Sequence, residues 1–234
     1  MEQTATEPAT DEALSAEDLA QIARQRAATY AFIARLYRVE VDQDLLDSLA
    51  ATRYPARTGN DDVDHGYYLI ARFMSNTWAD TLTDLAVDYV RAFIGHGNNA
   101  YSAAYPYESV YTSEKRLMMQ DARDEVLAIY RSCHLDKAAS WKENEDHIAV
   151  ELEFMQIMCE RAAVALEAGD EDAAMTAFKT QRNFLDDHLY AWAGMMTADL
   201  KKFARTGLYQ GLAYLTDGFL KTDNEFLADL LDEA

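Results

Sequence analysis

The sequence predicts an all-α fold, a single-domain helical bundle, on three observations. Only 3 prolines and 9 glycines punctuate 234 residues. The stretches between them are rich in Ala, Leu, Met and Glu, residues that lose little side-chain freedom in a helix. Apolar residues recur at steps of three and four, with no alternating run long enough for a strand. A flexible acidic tail is expected over residues 1–14 and one helical domain over 15–234. A chain of this size buries about 70% of its unfolded surface, so no disulfide or metal staple is needed.

The elements follow in order. Ser15 and Asp18 make a capping-box pair, and Leu19, Ile22, Ala23, Tyr30, Ile33, Ala34 and Tyr37 set an amphipathic helix to about residue 38. A short helix over 44–51 ends before turn chemistry at Pro55, Gly59 and Asn60. Helix is expected again from about 63 to 94. The stretch 95–106 holds Gly95, Gly97, Asn98, Asn99 and Pro106 and reads as the longest loop. After it, Ser113 caps a helix carrying Lys115, Leu117, Met118, Val126, Leu127 and Tyr130. A break over 134–140 precedes the most strongly helical segment, 144–168. There Ile148, Leu152, Met155, Cys159, Ala163 and Leu166 form one apolar stripe, and Val150, Phe154, Ile157 and Val164 a second, so this helix is expected to be central. Gly169 and Asp170 end it, and 171–202, 207–220 and 223–231 read as further helices.

Charge prunes the partners. With 21 Lys+Arg against 41 Asp+Glu the net charge is −20, and no basic cluster is present to displace counterions from a phosphate backbone, so nucleic acid is disfavoured. An anionic membrane surface is repelled for the same reason, and no span of about 18 apolar residues offers stable insertion. A cationic peptide is attracted by such a field. Cys133 and Cys159 are the only cysteines and lack any zinc or CxxC spacing, which fits a reducing, cytoplasmic setting. The first 13 residues have no positive n-region or apolar core, and Arg24 and Arg26 are followed by no export-type segment.

The common catalytic templates are missing: no Gly-rich phosphate loop, no Gly-x-Ser-x-Gly elbow, no HExxH and no Glu-x-x-His. His147 and Glu151 share a helical face at i, i+4, but a catalytic metal needs a further inward ligand and the helix shows none. The reading is therefore a non-enzyme without cofactor or metal. Two constellations remain. Tyr105-Pro106-Tyr107-Glu108-Ser109-Val110-Tyr111 places aromatics, a carboxylate and a hydroxyl on a backbone stiffened by proline, suited either to contact or to a packed helix entrance. Glu143-Asn144-Glu145-Asp146-His147 places acids at a helix start, as macrodipole compensation would, with a histidine following them.

These motifs occur in order after Asp88-Tyr89-Val90-Arg91-Ala92-Phe93-Ile94-Gly95, and before Gln181-Arg182-Asn183-Phe184-Leu185-Asp186-Asp187-His188-Leu189-Tyr190-Ala191-Trp192. Over about residues 20–220 the chain thereby resembles the TorD/DmsD family of redox-enzyme maturation chaperones, more distantly NarJ. The resemblance implies an all-helical bundle of that type, monomeric or a homodimer. It also implies a cytoplasmic role in binding the twin-arginine signal peptide and apoprotein of a molybdenum oxidoreductase before export. By matched position Tyr89, Phe93, Pro106, Tyr107, Ser109, Tyr111, Asp146 and His147 border the peptide groove. Guanine nucleotide is implied by the resemblance alone, with no nucleotide motif behind it. Asn144 departs from the proline that members often carry there.

The motif chemistry suits a signal peptide with two guanidiniums and an apolar run. Glu108, Glu143, Glu145, Asp146 and Glu151, with Tyr and Phe faces, are expected to supply charge-assisted hydrogen bonds and cation–π contacts. His147 makes binding pH-sensitive near neutrality if Asp146 or Glu151 is its partner; the alternative is a permanently hydrogen-bonded structural histidine. Two other classes compete: a cofactor- or nucleotide-binding helical protein acting in maturation without signal-peptide recognition, and a plain acidic scaffold whose aromatics are all core.

Overall fold

The computed structural model describes residues 14–95 and 102–232. The expected tail, apart from Leu14, and His96 to Tyr101 of the expected loop lie outside the described residues. Within them the chain is all-α: α1 (Ala16–Arg38), α2 (Gln43–Ala51), α3 (Asp61–Met74), α4 (Thr81–Tyr89), α5 (Glu108–Thr112), α6 (Asp121–Ser132), α7 (Ile148–Glu167), α8 (Glu171–Phe184), α9 (Tyr190–Phe203) and α10 (Gly207–Asp232). Two π-helical turns, Val90–Ile94 and Leu185–Leu189, extend α4 and join α8 to α9.

The predicted capping box at the start of α1 forms, with the Ser15 side chain accepting from Asp18 N–H and the Asp18 carboxylate accepting from Ser15 N–H. Helix α7 lies against α1 on one side and α8 on another, while α10 packs on α3 and α9. Most of α7 is buried, as its two stripes predict. The second stripe fails at Val164, which is more than half exposed near the C-terminal end. Close approach of α3 to α10 depends on glycine: a Cβ at Gly66 would meet Gly211 O and Leu215 N at 2.8 Å, and one at Gly211 would meet Gly66 O at 2.7 Å.

Four boundaries differ from the sequence reading, each for a local reason. The expected helix over 63–94 breaks between α3 and α4, where Ser75 Oγ and Asn76 Nδ2 donate to Arg72 C=O and Trp78 N–H donates to Thr81 Oγ1. Ser113 does not cap a helix start; it follows the five-residue α5, and Ser113 to Gln120 is irregular, so Leu117 and Met118 lie outside any helix. Helix α7 begins at Ile148 because His147 takes the N-cap position, its Nδ1 accepting from Ala149 N–H at 3.1 Å; the acids from Glu143 to Asp146 precede the helix. Helix α10 runs on through 221–223 because Asp223 is drawn inward by Arg26 and Tyr30.

Candidate functional site

The two motifs are stitched together. Tyr107 and His147 form an isolated antiparallel bridge, in which Glu108 N–H donates to Asp146 C=O and Ile148 N–H to Pro106 C=O, both at 2.9 Å. The Asp146 carboxylate accepts from Ser109 N–H at 3.1 Å, closing the start of α5. The Tyr107 ring meets the His147 ring edge-to-face at 5.0 Å, and its hydroxyl donates to Glu143 Oε2. Lys137 Nζ holds the Glu143 carbonyl from behind.

These two bridged segments form one wall of an open cleft of about 250 Å³. Pro106, Tyr107, Glu143 and His147 come from the bridge, Tyr89, Phe93 and Ile94 from the end of α4, and Arg38, Val39 and Glu40 from the end of α1. The π turn makes the second wall: its extra residue carries Phe93 into the core while Ile94 stays in solvent. Gly95 ends it at φ +76°, donating back to Val90 C=O, a conformation that favours glycine. Behind the cleft, Tyr89, Phe93, Tyr37 and Tyr209 pack ring on ring at 5.0 to 6.0 Å, and Tyr89 Oη donates to Tyr37 C=O.

Several expected contact residues are structural instead. Glu108, Ser109, Asp146, His147 and Glu151 are all buried, so the expectation that the Glu108, Asp146 and Glu151 carboxylates face a bound guanidinium is corrected. Glu108 faces His188 Nδ1 at 3.1 Å. Glu151 Oε2 accepts from Trp192 Nε1 at 3.0 Å, and burial reinforced by neighbouring Glu108 pushes its carboxyl well above the usual range. His147 is not a switch near neutrality: burial, reinforced by Lys137, drives its imidazole down to about 3. Tyr111 lies apart from the cleft, stacked on Trp192 at 5.7 Å with its hydroxyl toward Asp199. Glu145 is half-buried and engaged by Arg123 at 2.7 Å; burial works against its ionisation, but Arg123 prevails and the carboxyl lies below its ordinary range.

Of the expected acids, therefore, Glu143 alone borders the cleft, joined by Glu40. Arg38, whose guanidinium lies 3.8 Å over the Trp141 ring, sets a cation at the same rim. Sequence reading missed Arg38, Val39, Glu40 and the His188 partner of Glu108. No motif in the sequence marks the first three, whose place at the cleft follows from where the end of α1 packs. No group of three or more His, Cys, Asp or Glu among the described residues is placed to hold a metal, and none of the described helices is long and apolar enough to cross a membrane.

Residues 59–198 match the family model described as nitrate reductase delta subunit. The chain is 29% identical over 148 residues to the chaperone protein TorD of Vibrio parahaemolyticus, covering 63% of this chain and 66% of that one. It is 25% identical over 222 residues to the chaperone protein TorD of Shewanella pealeana, covering 88% and 91%. The crystal structure of a candidate redox enzyme maturation protein from Archaeoglobus fulgidus overlaps 95% of this chain and 99% of its own, with TM-score 0.39 and 16% identity.

Proposed function

Because the chain belongs to the nitrate reductase delta subunit family, the TorD/NarJ family, we propose that it is a cytoplasmic, system-specific chaperone for a molybdenum oxidoreductase. It holds the apoprotein and its twin-arginine signal peptide until the cofactor is inserted and export begins. Its curated relatives carry the name chaperone, which accords with a non-enzymatic role. The observation that carries the reading is the stitched cleft: aromatic faces from Tyr89 and Tyr107, the apolar Val39 and Ile94, and the carboxylates of Glu40 and Glu143 converge on one opening of a chain carrying −20.

The energetics assign different tasks to the two kinds of contact. An exposed carboxylate–guanidinium pair contributes about 0–1 kcal/mol, whereas burying one Leu or Phe of the apolar run contributes about 1.5–3 kcal/mol. Apolar burial sets affinity, and Glu40 and Glu143 set orientation and on-rate. Arg38 opposes a guanidinium in the same rim and so restricts where one can sit. The cleft, at about 250 Å³, is smaller than the roughly 300–1,000 Å³ usual for cofactor pockets, which favours a peptide segment over a pterin or nucleotide.

Calorimetric titration with a twin-arginine signal peptide, its Lys-Lys variant and a scrambled control at moderate salt tests this. Tight binding that falls for both controls is the expected result. Equal or absent binding of all three overturns the signal-peptide part of the reading.

A further inference from the structure

The segment joining α5 to α6 takes no part in the cleft above, yet it exposes three consecutive apolar side chains, Leu117 at 55%, Met118 at 50% and Met119 at 63%. The exposure is built in. Gln120 Nε2 donates to the carbonyls of Met118 and Met119 at 3.0 and 3.2 Å, Gln120 N–H donates to the buried Ser109 Oγ at 3.2 Å, and Arg116 N–H donates to Ser113 C=O at 3.1 Å. Arg116 and Met119 are held at φ +51° and +59°, the left-handed region that side-chain-bearing residues rarely adopt. A crest that were merely slack would relax out of both.

Beside the crest opens a cleft of about 450 Å³. Glu114, Asp121 and Glu125 line it with Lys115 as the sole cation among its lining residues. Ser113, also in the lining, has a buried hydroxyl with no hydrogen-bond partner among the described residues. An acid-lined cleft next to an adaptable Met crest fits a chain that carries Lys or Arg close to apolar residues. We propose that this is a second docking surface, which holds unfolded, basic and apolar segments of the client polypeptide outside its signal peptide. The inference rests on the chaperone reading above but not on its signal-peptide part. Folded proteins bury the apolar half of such segments, so the surface selects the immature client.

The test uses the full chain and two permanently unfolded probes, reduced carboxamidomethylated lysozyme, which is basic, and α-lactalbumin treated alike, which is acidic. The lysozyme probe is expected to bind about tenfold or more tightly than the α-lactalbumin probe. Met118→Ser with Met119→Ser, and separately Glu114→Gln with Glu125→Gln, are each expected to weaken lysozyme-probe binding about tenfold while the twin-arginine peptide titrates unchanged. All four residues are exposed, and an unaltered urea midpoint verifies the fold of each variant. Wild-type binding of the lysozyme probe by both variants, or equal binding of the two probes, overturns the proposal. Parallel loss of lysozyme probe and twin-arginine peptide also overturns it, because the two surfaces would then be one. If the twin-arginine peptide fails on the parent protein while the probe pattern holds, the signal-peptide reading falls and this one stands.

Discussion

The Glu108 carboxylate and the His188 imidazole face each other at 3.1 Å although 80 residues separate them in the chain. Both are buried. The contact locks α5, which carries the Pro106–Tyr107 strap, to the π turn Leu185–Leu189 between α8 and α9, whose extra residue brings His188 to this position. The cleft wall is therefore anchored to the helix pair α8–α9 through a buried contact.

Removing either partner leaves the other buried and uncompensated. Glu108→Ala and His188→Ala are each expected to lower unfolding free energy by about 3–5 kcal/mol, and the double variant by less than the sum. Urea unfolding followed by circular dichroism checks both statements; additive losses would show that the pair is not coupled.

His147 contributes to the acid limb of the pH–stability profile, alongside the depressed Glu145 carboxyl. Its imidazole lies at about 3 in the fold against 6.5 for the free group, so the unfolded chain binds the proton first. The stability contributed by the neutral ring is full above pH 6.5 and is lost as pH falls toward 3, on the order of 5 kcal/mol in all. His147→Asn keeps an N-cap acceptor while removing the titration, and urea midpoints measured between pH 3 and 7 should flatten accordingly.

Glu151 acts in the opposite sense. Its carboxyl is raised by burial and then by Glu108, so its stabilising protonated form is complete below the free value of 4.5, and the contribution is lost as pH rises through the elevated folded value. Glu151→Gln retains a neutral side chain with an acceptor for Trp192 Nε1 and is expected to raise the unfolding midpoint at pH 8 to 9 relative to that at pH 5. A variant whose profile parallels the parent would place the proton elsewhere.

Within the cleft, Glu143→Gln is expected to slow association of a twin-arginine peptide by about two- to fivefold, an effect that disappears in high salt. Tyr107→Ala is expected to cost about tenfold in affinity at any salt, through faster dissociation. Stopped-flow fluorescence at two salt concentrations separates the two.

The α3–α10 contact gives a prediction independent of function. Gly66→Ala and Gly211→Ala each drive a Cβ into backbone 2.7 to 2.8 Å away, which should destabilise by about 1–3 kcal/mol each and less than additively together, because one separation of the helices relieves both. Thermal unfolding of the three variants measures it.

Composition and period carried the fold a long way. The capping box at Ser15 and the two stripes of α7 were legible because helix ends and helix faces are written in residues three and four apart. The α5–α6 segment was misread as helix because Lys115, Leu117 and Met118 satisfy helical spacing locally, while the bonds from Gln120 to Ser109, Met118 and Met119 that hold it irregular appear only on folding. The start of α7 was misplaced because a histidine N-cap is rarely expected.

That the chain is helical and acidic is written in its sequence, as are the two motifs, one ending the longest expected loop and one at the expected start of the central helix. The sequence also sets which residue types those motifs offer. Which of those groups meet solvent follows from the packing of the folded chain. Glu108, Asp146 and Glu151 read alike with Glu143 as carboxylates available to a cation, but Glu108 and Asp146 flank the Tyr107–His147 bridge and are buried, Glu151 is buried on α7 against Trp192, and Glu143 is left at the cleft. The reason is physical: charge and spacing are properties of the chain, whereas desolvation is a property of what packs around a group, and partners such as His188 and Trp192 arrive from 40 to 80 residues away.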